Sequence, residues 1–411
     1  MKALFTAIFV LFLGSFLFAQ DGEKNWFQVY GFAMTDIGYN FDQIHPDWYD
    51  VVRPTKLPTI KNEYGTDGNV FFSVRQTRFG VKSGTQTALG ELFTQFEWEM
   101  FGTGSDAGQT TIRLRHAYGE LGCIGVGQYW SPFMDIDVFP NSVEYWGPNG
   151  MVFFRNIQFR YMPIKGDTRL TFALERPGAS ADGGVYSEIL QEQNIKSQFP
   201  LPDLSAEYRY GQSWGYVELA GIVRYIKWVD QSDNDYDLSD EALGWGLNLS
   251  SNVKITKNDV LRLAFVYGEG IQNYMNDAPV DIGIKDNTDA NDPEKPIKGV
   301  PIPMMSAVAF LDHNWSEKFS TSVGYSFLDM DNTNLQDYNA FNKGQYALIN
   351  LLYYPVENVM MGAELQWGNR ENFNNLEEDE EYQYPENYLK TADILKLQFS
   401  FKYNFSHKVL F

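Results

Sequence analysis

Residues 395–405 read LKLQFSFKYNF. Leu395, Leu397, Phe399, Phe401, Tyr403 and Phe405 alternate there with Lys396, Gln398, Ser400, Lys402 and Asn404. A period of two sends the first set to one face of a β-strand and the second to the other. A strand of a soluble sandwich alternates too. Aromatic density and repetition along the chain decide between the two. Leu92, Thr94, Phe96, Trp98 and Met100 alternate with Phe93, Gln95, Glu97, Glu99 and Phe101. Leu170, Phe172 and Leu174 alternate with Arg169, Thr171, Ala173 and Glu175, and Leu261, Leu263, Phe265 and Tyr267 with Arg262, Ala264 and Val266. No helix-period stretch of comparable strength follows the N-terminal segment.

Working outward from these runs predicts sixteen strands, from 26–40 to 391–405. Their connections alternate between short and long. Short ones fall at 84–88, Gly122, 163–166, Ser213, 257–258, 316–317 and 355–356; long ones at 41–69, 131–150, 177–202, 229–240, 271–302, 331–341 and 372–390, and among this outer set only 102–108 is brief. Long loops on one side and tight turns on the other are the rhythm of an outer-membrane barrel. The expectation is an all-β fold: a transmembrane antiparallel β-barrel of about sixteen strands with an infolded constriction loop. Lipid has no partner for an open strand edge, so the sheet must close. A barrel that wide is expected to hold water rather than side chains. Trp26, Trp98, Trp130, Trp214, Trp228, Trp315, Tyr353 and Tyr354, near strand ends, are read as interface girdles.

The composition agrees. The 411 residues carry 32 basic and 53 acidic side chains, a net charge of −21, with 44% apolar and 16% aromatic residues. Mean hydropathy is −0.34. That excludes a bundle of apolar transmembrane helices, and the aromatic content excludes a disordered chain. The negative charge repels phosphate and argues against a nucleic-acid partner. Cys123 stands alone, so there is neither a disulfide framework nor a CxxC metal motif. No cofactor is called for.

Residues 1–19 read as a cleaved secretory signal peptide: Lys2, an apolar core ALFTAIFVLFLGSFLF at 3–18, and small Ala19 at the cut. Residues 20–411 are then the exported barrel, placed in the outer membrane of a Gram-negative cell against lipid and lipopolysaccharide.

Five motifs lie between 75 and 178: RQTRFGV at 75–81, LRHAYGEL at 114–121, GQYWSPFMD at 127–135, GPNG at 147–150 and ALERPG at 173–178. In this order and spacing the chain resembles the DcaP-like trimeric porins. The resemblance is specific for about a quarter of the chain. Phe405 looks like the terminal aromatic of that family, although Ser406 to Phe411 follow it. The resemblance implies a homotrimer of sixteen-stranded barrels. It also implies an arginine-bearing constriction favouring small anions such as dicarboxylates, and a third outer loop (131–150) folded into the barrel.

Alternation supports part of this. Of thirteen arginines, eight lie between 70 and 176: Arg75, Arg78, Arg113, Arg115, Arg155, Arg160, Arg169 and Arg176. If Ile112 and Leu114 face lipid, Arg113 and Arg115 face inward; if Ile157, Phe159 and Tyr161 face lipid, Arg160 faces inward with Gln158. Arg169 and Arg262 are inward by the same rule. An arginine facing lipid at mid-membrane costs about 2–4 kcal/mol, so inward placement is favoured. The candidate constriction is Arg75, Arg78, Arg113, Arg115 and Arg160 on the wall, facing Asp135, Asp137 and Glu144 on the loop. A ring of cations at a narrow point selects anions. The alternative is that the arginines pair with Glu97, Glu99, Glu120 and Glu175 on neighbouring strands.

Other features are weaker. Asp233-x-Asp235-x-Asp237 opens like a calcium loop but lacks its Gly and late Glu. Glu377 to Glu381 is a like-charge run expected on the outside, where divalent cations would bridge it to lipopolysaccharide. A barrel-wall hydrolase needs a rim His beside a Ser. His116 has no serine nearby in sequence, and His313 has only Ser306 and Ser316, so an enzyme is not expected. A soluble β-rich binding domain would have to bury the aromatic faces.

Overall fold

A computed structural model of the chain describes residues 25–192, 194–233, 235–288, 294–374 and 385–411. The signal segment 1–19 and the acidic run 377–381 lie outside the described residues.

The alternating runs form strands that meander antiparallel, each paired with the next. In chain order they are β1 (Trp26–Asn40), β2 (Asn69–Ser73), β3 (Arg78–Thr87), β4 (Gly90–Phe101), β5 (Thr110–Leu121), β6 (Ile124–Trp130) and β7 (Arg155–Ile164). Then come β8 (Arg169–Glu175), β9 (Ile195–Gln198), β10 (Asp203–Gln212), β11 (Gly215–Asp230), β12 (Asp240–Lys254) and β13 (Asp259–Glu269). After β14 (Ile282–Asp286) and β15 (Ile297–Pro301), the chain completes β16 (Pro303–Asn314), β17 (Phe319–Met330), β18 (Phe341–Tyr353), β19 (Val359–Asn372) and β20 (Thr391–Leu410). β2 and β3 both pair with β1 and make one interrupted stave. β9 caps the outer end of β11, and β14–β15 is a separate hairpin. Sixteen staves remain, and β1 pairs with β20 from Trp26↔Leu410 to Asn40↔Lys396, which closes the barrel. The last strand therefore runs past Phe405: residues 406–410 are strand, not a tail.

The faces follow the alternation. On β20, Ile394, Lys396, Gln398 and Ser400 are buried in the interior, while Phe399, Phe401, Tyr403 and Phe405 are exposed on the outer wall. Three girdle assignments fail, Tyr354 among them: it packs inside against Val143 and Leu352, and its hydroxyl accepts from Asn141 Nδ2 at 3.2 Å. Trp130 turns into the barrel, over Arg115 and Arg155. Trp228 faces a cavity among the outer loops, and its Nε1 donates to Leu238 O at 2.8 Å.

The expectation of a wide, wet lumen needs correction. Loop 131–154 folds inward as expected, but loop 41–68 does so too. Trp48, Val51, Val52 and Leu57 pack with Val138 and Met151 against Val308, Phe310, Tyr346, Leu348 and Ile394, all buried. A second cluster packs Phe133, Met134 and Val152 against Ile222, Val266, Met304 and Leu328. Inward positions of β11, β13 and β16–β20 are thus partly apolar, and the two loops fill that side. Interior space remains beside β3–β8. It includes cavities of about 440, 350 and 320 Å³.

Candidate functional site: an arginine-lined passage

Two of the sequence motifs are breaks in the pleat. At 74–77 the stave between β2 and β3 leaves the sheet, with Thr77 N donating to Val74 O at 3.0 Å. Arg75 and Gln76, consecutive in sequence, both become buried inside. In β5 the register against β4 slips between Glu97↔His116 and Trp98↔Leu114. That bulge turns both Arg115 and His116 inward, where alternation allows only one. The GPNG motif seats the loop on the far wall. Gly147 has φ +79°, and a Cβ there would strike the Phe139 ring; a Cβ on Gly150 would strike Phe327 O. Gly150 N donates to Ser326 Oγ at 2.8 Å, and Ser306 Oγ donates to Gly150 O at 2.7 Å.

The centre of the site is a pair of carboxylates shared by four arginines. Arg115 Nε donates to Glu97 Oε1 at 2.6 Å, and its Nη1 pairs with Glu99 Oε2. Arg78 lies 3.7 Å from Glu97 and 3.6 Å from Glu99. Arg113 and Arg155 approach Glu99 at 3.8 and 3.6 Å. Tyr145 of the infolded loop donates its hydroxyl to Glu99, and Tyr30 donates to Glu97 at 2.8 Å. Four guanidinium groups against two carboxylates leave two positive charges uncompensated. The Arg155 side chain is only 7% exposed, yet its Nη1 has no hydrogen-bond partner. Arg155 and Arg113 line the 440 Å³ cavity together with Gln128, Tyr145, Trp146, Asn273 and Asn276, and among the described residues no carboxylate lines it. Past Tyr145 and Phe153, the 320 Å³ cavity is lined by Arg78, Arg115, Lys402 and Glu144.

Of the sequence candidates, the structure brings together Arg78, Arg113 and Arg115. Arg75 is elsewhere: it is 0% exposed and sealed against Asp50 of loop 41–68. Arg160 has no ion-pair partner among the described residues. It donates to Gln158 Oε1 at 2.8 Å and to Trp130 O, and lines the 350 Å³ cavity beside Arg169.

Asp137 shares the 350 Å³ cavity with Arg160, and Glu144 the 320 Å³ cavity with Arg78 and Arg115, but the ion pairs of the loop acids are made with other residues. Asp135 accepts from Arg209 Nη2, Tyr216 and Ser250, each at 2.7 Å. Asp137 accepts from Arg209 Nη1 at 2.6 Å. Glu144 accepts from Lys396 Nζ at 2.7 Å and from Val52 N at 3.3 Å, and both side chains of the ion pair are fully buried. Burial pushes the Glu144 carboxyl up to about 7 against the pull of Lys396. These acids bolt the loop to the opposite wall, while the acids beside the arginines belong to β4. The pairing alternative describes Glu97 and Glu99. Glu120 instead takes Lys165, and Glu175 accepts from Ser131 and Ser205.

Arg155 was counted among the clustered arginines but left out of the constriction set, and Tyr145, Lys402, Arg209 and Arg53 escaped the sequence reading. Arg155 shares parity with outward Ile157 and Phe159, and only its place at the strand start lets it turn in. Lys402 was visible on the inward face of the last strand. Arg53 lies in a loop, where alternation says nothing.

A model of the DcaP outer membrane protein family matches residues 20–382. The chain belongs to that family. Its likeness to the outer membrane channel DcaP of Acinetobacter baumannii has a TM-score of 0.74 at 19% identity, covering 94% of this chain and 99% of that one. An anion-selective porin from Comamonas acidovorans aligns with TM-score 0.56 at 10% identity, over 93% of this chain and 100% of that one. The trimer form of OmpT, an outer membrane protein of Vibrio cholerae, aligns with TM-score 0.54 at 10% identity over the same shares. No curated protein matches the chain. Of these solved structures, the Acinetobacter one is an outer membrane channel and the Comamonas one a porin, not enzymes. The family match ends before β20, whose place is fixed by its pairing with β19 on one side and β1 on the other.

Proposed function

We propose that the chain is a passive outer-membrane channel for small hydrophilic solutes that favours small organic anions, dicarboxylates first. Arg78, Arg113, Arg115 and Arg155 serve as its selective stretch. The observation that carries this is the surplus of arginine over Glu97 and Glu99, ending at Arg155 Nη1 without a partner beside a cavity free of carboxylates. A carboxylate entering there gains charge-assisted hydrogen bonds, bidentate where the guanidinium fork is free. The contacts must stay weak and several, or the solute would not leave. The net charge of −21 does not oppose this, because charges beyond about 8 Å are largely screened at physiological salt.

Export by cleavage after residue 19, a homotrimeric assembly, and contact of the acidic outer loops with lipopolysaccharide through divalent cations complete the reading. The likeness to an anion-selective porin and to a trimeric one supports it.

The test is the reversal potential of single channels in a salt gradient, for wild type and for Arg113→Ala with Arg155→Ala. The expected result is anion preference in the wild type, moved toward cations in the double variant, with weaker block by added dicarboxylate. A wild-type channel that prefers potassium over chloride, with a double variant that behaves the same, leaves a general porin and ends the anion reading.

A further inference from the structure

β11 outruns the membrane. A barrel strand crosses the hydrocarbon in about 9–11 residues, and Ile226 and Trp228 are the twelfth and fourteenth of its 16. They share the inward face with buried Ile222 and Arg224, so above the lipid they point to the mouth of the barrel. Three segments of chain gather around them. β9 pairs alongside, with Ser197 opposite Trp228. The hairpin β14–β15 supplies a second wall, and residues 179–183 a third. Together they enclose a cavity of about 310 Å³, lined chiefly by Ile226, Trp228, Ile282, Ile284, Leu190 and Phe199.

These walls are fixed before any ligand arrives. Asp281, next to the hairpin, is fully buried and accepts from Arg224 Nη1 at 2.7 Å, Asn273 N at 3.0 Å and Ser180 N at 2.9 Å. Asp182 N donates to Ile282 O at 2.9 Å, which ties residues 179–183 to β14. The Trp228 indole is held by Leu238 O and lies over Gly299, where a Cβ would come within 2.5 Å of the ring. A preformed apolar hollow of this size suits a small molecule, because nothing has to be ordered when one enters. The charged residues of the lining are Lys227, Lys298 and Asp182. The Asp182 carboxylate accepts from Gly184 N at 2.9 Å and Gln336 Nε2 at 3.0 Å. Positive charge is therefore in surplus around an apolar space.

We propose that this cavity is a separate binding site, at the outer mouth, for an aliphatic monocarboxylate. The hydrocarbon chain fills the hollow against Trp228 and Ile284, and the carboxylate stays at Lys227 and Lys298. Each methylene buried tightens binding by about fourfold. A second carboxylate at the far end of the chain would be buried without a partner, so a dicarboxylate of equal length is rejected. An acyl chain of the surrounding lipid does not suit the site, because Ile226 and Trp228 belong to the face of β11 turned away from lipid. The site lies off the arginine passage and does not rest on its anion preference. The two hollows share one scaffold, however: Gly178 O accepts from both Arg224 Nη2 and Asn273 Nδ2, and Asn273 lines the 440 Å³ cavity.

The experiment reconstitutes the full chain in phosphatidylcholine nanodiscs and titrates it with 8-bromooctanoate, whose bromine quenches indole fluorescence on contact. Quenching of the other tryptophans from the bilayer is measured with Trp228→Phe. The expected result is a saturable component in the wild type that Trp228→Phe lacks. Octanoate displaces it, hexanoate does so about 15-fold less well for want of two methylenes, and suberate does not. Lys227→Met combined with Lys298→Met weakens binding about fivefold. No saturable component in the wild type overturns the site, whatever ion preference the channel shows. Displacement by suberate as readily as by octanoate, or by lipopolysaccharide and not by octanoate, also overturns it. Heat-modifiable migration on gels verifies that each variant is a folded barrel before it is scored.

Discussion

Asp277→Ala should unfasten three inward-folded segments at once. Asp277 lies in the segment between β13 and β16 and is fully buried. Its Oδ1 accepts from Arg53 Nε at 2.8 Å and from Thr55 Oγ1 at 2.5 Å, and its Oδ2 from Thr55 N at 3.0 Å. The Arg53 guanidinium sits between Trp48, 4.2 Å from the ring centroid, and Trp146, 3.9 Å away. Trp146 belongs to loop 131–154 and donates its Nε1 to Asn276 O at 2.9 Å. Losing the carboxylate leaves a buried guanidinium without a counter-charge, which costs about 3–5 kcal/mol. Arg53→Ala strands the carboxylate instead and costs a similar amount, plus about 0.5–2 kcal/mol of cation–π attraction. The double variant removes both charges. Its cost should fall short of the sum of the singles by up to about 3 kcal/mol. Chemical unfolding in detergent supplies the double-mutant cycle. Hydrogen exchange over residues 46–58 and single-channel recording locate the effect, with faster exchange and larger, noisier currents expected as Trp48 and Trp146 lose their clamp. Additivity of the singles within about 0.5 kcal/mol, with unchanged exchange and current, would refute the latch.

Glu99→Gln leaves four arginines against Glu97 alone, so reversal potentials should move further toward anions; no movement would mean that Glu99 does not set the local charge. Arg75→Ala should destabilise the barrel by about 3–5 kcal/mol by stranding buried Asp50, while ion preference stays unchanged; a selectivity shift as large as that of the Arg113/Arg155 pair would contradict its sealed position. For orientation, a cysteine at Asp237 should react with an impermeant maleimide on intact cells and one at Asn258 should not, and the reverse pattern would invert the barrel. Glu144 binds its proton more tightly in the folded chain, its carboxyl being raised from 4.5 to about 7 by burial. Its stabilising contribution is therefore present below pH 4.5 and lost as pH rises through 7. The unfolding free energy of wild type relative to Glu144→Gln should fall across that window, and a flat difference would reject the shift.

The strand breaks coincide with two of the motifs that carried the resemblance in the sequence, although the family match runs over residues 20–382. Arg75-Gln76 and Arg115-His116 are consecutive pairs that both enter the interior, and Gly147 and Gly150 fit where a Cβ would collide. Such places constrain residue identity, whereas a lipid-facing position accepts many apolar side chains. They were legible as motifs, but their geometry was not: strict alternation made Arg115 inward and left His116 outward.

Strand number, register faces, turn side and closure were determined by the sequence by itself. The two-residue period is local, and every strand feels the same contrast between lipid and interior. Partnership inside the barrel was decided only in three dimensions. Arg53 meets Asp277 across 224 positions of sequence, and Lys396 meets Glu144 across 252. Which inward charge stays free depends on which loop folds over it. That in turn depends on apolar inward faces such as Phe310, Tyr346 and Leu348, scattered over separate strands. No local pattern records that these faces lie together and pack against loop 41–68, so the chain could reveal its barrel but not how one side of it is filled.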